Sequence, residues 1–198
     1  MPVSEYFTFY NIIEFLGAVF SIVYSLLLMR EKSIGWLFGI ASSLLGIILF
    51  IESKIYAQAI ISVYYAGIGI YGWLYWKKAE QRNEHIHKWK PQQHVLYITI
   101  FVVFSLLSSY AFENYTDSQN PYLDSFVTVF GFLASIKEAR KILTSWMYWF
   151  MINSFSVMLY YNQQLYFYSA IMVLYALICI PGYLNWKKIY EQHTTTSI

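Results

Sequence analysis

Five residues at helical spacing carry the most chemistry in this chain: Trp146, Trp149, Asn153, Ser156 and Tyr160. Successive steps of three and four residues place them on one face of a helix. Two indoles, a phenol and one amide on a single face suit a flat ring. The indoles can stack on it and attract a positive charge through their π-faces, each contact being worth roughly 0.5–2 kcal/mol. The amide can bond a hydroxyl or carboxamide. The same stripe also suits helix packing or an interfacial belt, and Trp146, which opens its helix, is the most belt-like. Trp149 and Asn153 lie deeper, where an amide needs a partner from a neighbour or a ligand.

Other candidates surround this face. Trp36, Gly39, Ser43, Gly46 and Phe50 form a second face of the same spacing, hollowed by small residues where the first is filled. Gln58, Ser62, Tyr65 and Tyr175 belong to neighbouring apolar segments and are candidates to line a path, with Tyr65 and Tyr175 as matched gate residues. Glu14 and Asp124 are acids just inside apolar segments. Ionisable groups there are costly and are functional candidates by default; they either hold the fold through helix N-termini and hydroxyls or attract and gate a cationic substrate.

The elements that must position these residues are transmembrane helices. The chain of 198 residues is 58% hydrophobic, 21% aromatic and only 12% charged, against about 25% charge in a typical soluble domain. A crossing helix needs about 20 mostly apolar residues, and seven such segments can be read: 11–29, 34–51, 55–76, 95–112, 122–142, 145–162 and 165–186. The predicted fold is all-α and integral to the membrane. With the N-terminus outside, the cytoplasmic stretches hold Arg30, Lys32, Lys77, Lys78, Arg82, Lys88, Lys90, Lys137, Arg140, Lys141, Lys187 and Lys188, and the outer stretches hold only Lys54. This asymmetry follows the positive-inside rule and places the C-terminus in the cytoplasm.

A shift of 110 residues aligns the chain with itself without gaps: Trp36 falls on Trp146, Tyr56 on Tyr166, Tyr65 on Tyr175, Gly72 on Gly182, Trp76 on Trp186 and Glu14 on Asp124. Between 63–78 and 173–188, ten of sixteen residues are identical. The reading is one membrane domain over 1–198, with a three-helix repeat at 11–78, a linking helix at 95–112 and a second three-helix repeat at 121–188. Because three is odd, the single linking helix restores orientation and makes the repeats parallel, the 3+1+3 plan of SWEET sugar transporters. Such repeats belong mostly to carriers with a substrate site near the midplane between the units. A duplicated bundle could also be a passive scaffold.

Several classes are excluded or disfavoured. A net charge of +2 gives no footing for nucleic acid. There is no phosphate-cradling loop, so direct ATP coupling is not expected. No nucleophile–base pair lies within the apolar segments, so the chain reads as a non-enzyme. Cys179 cannot form an internal disulfide, being the single cysteine. His85, His87 and His94 lie in the basic stretch 77–94, which reads as a solvated linker; His-x-His without carboxylate or thiolate support is a poor metal site. No metal and no cofactor are expected.

Trp36-x-x-Gly39, Phe50, Lys54-Ile55-Tyr56 and Tyr71-Gly72-Trp73 with Trp76 resemble the first half of the Pnu family of bacterial vitamin transporters. Trp146-x-x-Trp149-x-x-x-Asn153 resembles that family's signature in the sixth span; Ile13-Glu14 with Gly17, and Asp124-Ser125, also match. The resemblance runs from about residue 11 to 188. It implies facilitated diffusion of a B-vitamin precursor, most often nicotinamide riboside, across the bacterial inner membrane. It also implies trapping by a cytoplasmic kinase, a homotrimer, and ligand contact at Trp149 and Asn153. Thiamine is the alternative, and Ser42 and Ser62 stand where members carrying nicotinamide riboside often have Asn and Gln. A SWEET-like sugar carrier and a non-transporting receptor subunit are the readings from other classes.

Overall fold

The computed structural model describes residues 3–115 and 120–195. Among the described residues seven helices follow in chain order: α1 (Val3–Met29), α2 (Gly35–Glu52), α3 (Tyr56–Gln81), α4 (Pro91–Tyr115), α5 (Pro121–Ala139), α6 (Ser145–Asn162) and α7 (Tyr166–Thr195). No strand occurs among the described residues. Among the described residues four stretches are long and apolar enough to cross a membrane: Phe9–Met29 in α1, Gly35–Glu52 in α2, Pro91–Tyr115 in α4 and Tyr166–Thr194 in α7. The remaining helices are diluted by less apolar residues: Tyr, Gln58 and Lys77-Lys78 in α3, Asp124, Lys137 and Glu138 in α5, and Ser, Asn and Tyr in α6. Several helices outrun the segments read from hydropathy. Backbone hydrogen bonding continues where apolar character ends, most visibly in α7, which carries on past Trp186 to Thr195.

The helix ends show why the chain turns where it does. At the end of α1 the Lys32 N–H donates to Leu27 O at 3.0 Å and the Glu31 N–H to Leu28 O at 2.9 Å. At the end of α5 Ile142 and Lys141 do the same to Lys137 and Glu138, at 2.9 and 3.0 Å. These are Schellman closures, and the residues at the left-handed position are not glycine: Glu31 (φ 55°) and Lys141 (φ 53°). Lys54 and Gln164 repeat the pattern after α2 and α6, at φ 59° and 63°.

Two compact units, Met1–Glu84 and His85–Ile198, divide the chain. In the first, α2 packs against both α1 and α3; the Ser42 hydroxyl donates to Gly17 O at 2.8 Å and ties α2 to α1. In the second, α6 packs against α5 and α7, and α4 packs against α5. The Ser169 hydroxyl donates to Val157 O at 3.1 Å, tying α7 to α6.

Each unit is built around a tryptophan pressed onto a glycine. In the first, Trp36 meets Trp76 edge-on, 5.7 Å between ring centroids at 81°, over Gly72. In the second, Trp146 meets Trp186 at 5.5 Å and 90°, over Gly182. All four indoles are buried. Each glycine allows the indole to lie against the helix backbone, which a side chain there would prevent.

Candidate functional site

The aromatic face of α6 turns inward. Trp146 and Ser156 are buried, and Trp149, Asn153 and Tyr160 are partly buried, whereas Met147, Phe150, Met151, Phe155 and Met158 of the same helix are exposed. Trp146 is occupied by packing against Gly182 and Trp186, and its indole N–H has no hydrogen-bond acceptor among the described residues. Trp149 and Asn153 lie one and two turns further along. The Asn153 amide reaches Cys179 Sγ on α7 at 3.7 Å, a weak contact that leaves the amide's carbonyl oxygen available to a ligand.

Sequence reasoning missed the residues that set the electrostatics here. The Trp149 indole N–H donates to Glu138 Oε2 at 3.0 Å, and Glu138 is 3% exposed. Its neighbour Lys137 is fully buried. The Lys137 ammonium sits 3.3 Å from the centroid of the Tyr148 ring and 4.8 Å from that of Trp89, without a hydrogen-bond acceptor among the described residues. Tyr148 in turn meets His94, 3.2 Å from hydroxyl to Nδ1. A cation is therefore already held in an aromatic cage one residue from the acid that grips Trp149. Both charges lie in the last turn of an otherwise apolar helix, so a hydropathy reading counts Lys137 among the flanking basic residues and passes over Glu138. Two ionisable residues in succession at the end of a span were the available signal.

The stretch read as a solvated linker is docked instead. The His87 N–H donates to Lys141 O at 2.9 Å and the Leu143 N–H to His87 O at 2.8 Å, a single parallel bridge onto the α5–α6 turn. Ile86 is buried, Trp89 stacks on Tyr97 at 4.6 Å, Lys88 lies 4.1 Å over the Tyr190 ring, and His85 stacks on His193 at 3.4 Å. Alternating apolar and aromatic residues give this short segment a buried edge that a count of polar residues hides.

The other candidates are dispersed. Asp124 stands in the first turn of α5, where the helix dipole favours an acid, and Glu14 is exposed on α1. In the first unit, Trp36 is packed like Trp146, Ser43 donates to Gly39 O at 2.9 Å, and Ser62, buried on α3, donates to Gln58 O at 2.9 Å. Gln58 is exposed and Tyr65 packs edge-on against Tyr64. In the second unit, Tyr160 lies 5.8 Å from Tyr168, and Tyr175 is partly buried on α7. Trp149 and Asn153 are the pair that the fold gathers with a buried charge.

The model of a family described as nicotinamide mononucleotide transporter matches residues 11–188. The chain belongs to this family. It is thus an integral membrane protein of a transporter family. The nicotinamide riboside transporter PnuC of Escherichia coli (strain K12) is 25% identical over 201 aligned residues, 88% of this chain and 84% of that protein. The nicotinamide riboside transporter PnuC of Shigella flexneri matches equally. Among solved structures, the crystal structure of the vitamin B3 transporter PnuC superposes with a TM-score of 0.72 at 19% identity, over 91% of this chain and 83% of that one. That likeness establishes the shared fold.

Proposed function

We propose that this protein carries nicotinamide riboside by facilitated diffusion across the bacterial inner membrane, with a cytoplasmic kinase trapping the product. Membership of the transporter family and the likeness to riboside transporters support the substrate class. The observation that carries the site is the inward face of α6, with Trp149 bonded to buried Glu138 and Asn153 one turn away. Trp149 stacks on the nicotinamide ring, Asn153 bonds its carboxamide or the ribose, and Tyr65 and Tyr175 serve as matched path residues. The seven helices span the membrane in a 3+1+3 repeat with the N-terminus outside, and three copies assemble. The equivalent Trp–Gly–Trp cores of the two units support the repeat.

Calorimetric titration of the detergent-purified protein and uptake into proteoliposomes, with nicotinamide riboside and thiamine in parallel, test this reading. Saturable binding and uptake of the riboside are expected. Trp149→Ala and Asn153→Ala should each weaken binding by roughly threefold to thirtyfold, the loss of one stacking or amide contact. Wild-type affinity in both variants would remove the ligand from this face, and binding of thiamine alone would move the substrate to that vitamin.

A further inference from the structure

Glu138 occupies an expensive place for an acid. It lies in the last turn of α5, where its backbone carbonyl accepts the Lys141 N–H at 3.0 Å. There the helix dipole presents its negative end, and burial in a membrane helix penalises a carboxylate further. The turn itself does not need an acid. The position 110 residues earlier is Leu28, which closes the end of α1 with the same hydrogen bond, Glu31 N–H to Leu28 O at 2.9 Å, and is fully buried.

The same comparison isolates the rest of the face. Trp149 corresponds to Gly39 and Asn153 to Ser43. Indole, amide and carboxylate therefore occur together in one unit, and all are replaced by Gly, Ser and Leu at the matching positions of the other. Three polar or aromatic residues brought together across two helices, with their matching positions all converted to small or apolar types, indicate one ligand rather than a requirement of packing.

We infer that Glu138 is the specificity-determining residue of this face, selecting a positively charged aromatic ring over a neutral ring of the same shape. The inference rests on the proposed contact of Trp149 with substrate. Accepting the indole N–H places negative charge at the edge of the ring on which the ligand stacks, which raises the electron density of that π-face and strengthens its pull on a cation. The carboxylate also attracts the fixed charge directly at low local dielectric. The Lys137 ammonium lies over Tyr148 and Trp89 and makes no hydrogen bond among the described residues.

The test is a comparison of nicotinamide riboside with its 1,4-dihydro form, which keeps the carboxamide and ribose but has no ring charge. Both are titrated into the full-length protein, wild type and Glu138→Gln. Glutamine retains an oxygen for the Trp149 N–H and nearly the same volume. Wild type should prefer the cation, and Glu138→Gln should lose at least about tenfold of that preference, the scale of neutralising one side of a buried charge interaction. Affinity for the neutral form should stay nearly unchanged, and Glu138→Asp should keep the preference. Because the result is a ratio of two ligands within one preparation, a partly inactive sample does not distort it. An unchanged ratio in Glu138→Gln overturns the inference, as does a wild type that binds the dihydro form as tightly as the cation, a result that needs no variant. A wild type that binds neither ligand instead overturns the proposed function.

Discussion

A methyl group added at Gly182 gives the sharpest test of how the second unit is held together. An alanine Cβ there would stand 2.5, 2.6 and 2.7 Å from Cε3, Cδ2 and Cζ3 of Trp146. These distances are about an ångström inside ordinary carbon contact. The atoms belong to a rigid ring backed edge-on by Trp186, so the indole cannot rotate aside as a flexible chain would. Relief requires α6 and α7 to separate. Overpacking of this kind costs about 1–3 kcal/mol, and the upper half of that range fits a blocked ring. Replacing a helical glycine returns up to about 1 kcal/mol of backbone entropy. The net expectation for Gly182→Ala is a loss of about 1–2 kcal/mol, or roughly 2–8 °C in apparent melting temperature for a chain of this size. Gly67 supplies the control: its added Cβ meets nothing within 4 Å, so Gly67→Ala should be neutral or slightly stabilising. Gly72→Ala should match Gly182→Ala, since its Cβ would stand 2.6 Å from Trp36. Thermal unfolding of the three variants in one detergent decides the matter. Equal melting temperatures for Gly67→Ala and Gly182→Ala would refute the wedge argument.

Two further outcomes follow from the same geometry. Lys137→Met removes a buried ammonium that has aromatic neighbours but no hydrogen-bond acceptor while keeping an apolar chain of similar volume; it should leave stability unchanged or raise it by about 1 kcal/mol or more, read as a higher melting temperature, and a marked fall would show that the caged charge holds the fold. Ser42→Ala removes the α2-to-α1 hydrogen bond and should cost about 0.5–1.5 kcal/mol, with Ser169→Ala giving a similar loss on α7. Wild-type unfolding in both serine variants would show these bonds to be replaceable within the helices.

Much of the architecture is legible in the residues. Long apolar runs separated by polar steps such as Arg-Glu-Lys and Ser-Lys, and by the basic stretch 77–94, mark the seven helices of the described residues. The step of three and four residues from Trp146 to Tyr160 identifies the face of α6 that turns inward. The register of 110 residues pairs Trp36 with Trp146 and Gly72 with Gly182; that each tryptophan lies on its glycine is a finding of the structure. Chain positions alone convey these features because hydropathy and helical periodicity are local properties, set within a few turns. The ends of the helices were less legible, since α4 and α7 continue through polar residues that hydropathy excludes.

Contacts between elements were decided by the tertiary structure. Nothing in the order of residues says that Glu138 reaches Trp149, that Lys137 lies over Tyr148 rather than in solvent, or that His87 bridges to the α5–α6 turn. Each depends on the angle at which α6 leaves its turn and on which rotamer fits between packed helices, quantities that periodicity does not encode. From sequence alone came a membrane protein with an aromatic and amide face of the kind that holds a flat ring. The fold added the buried carboxylate beneath that face, because only packing could bring the end of α5 against the second turn of α6.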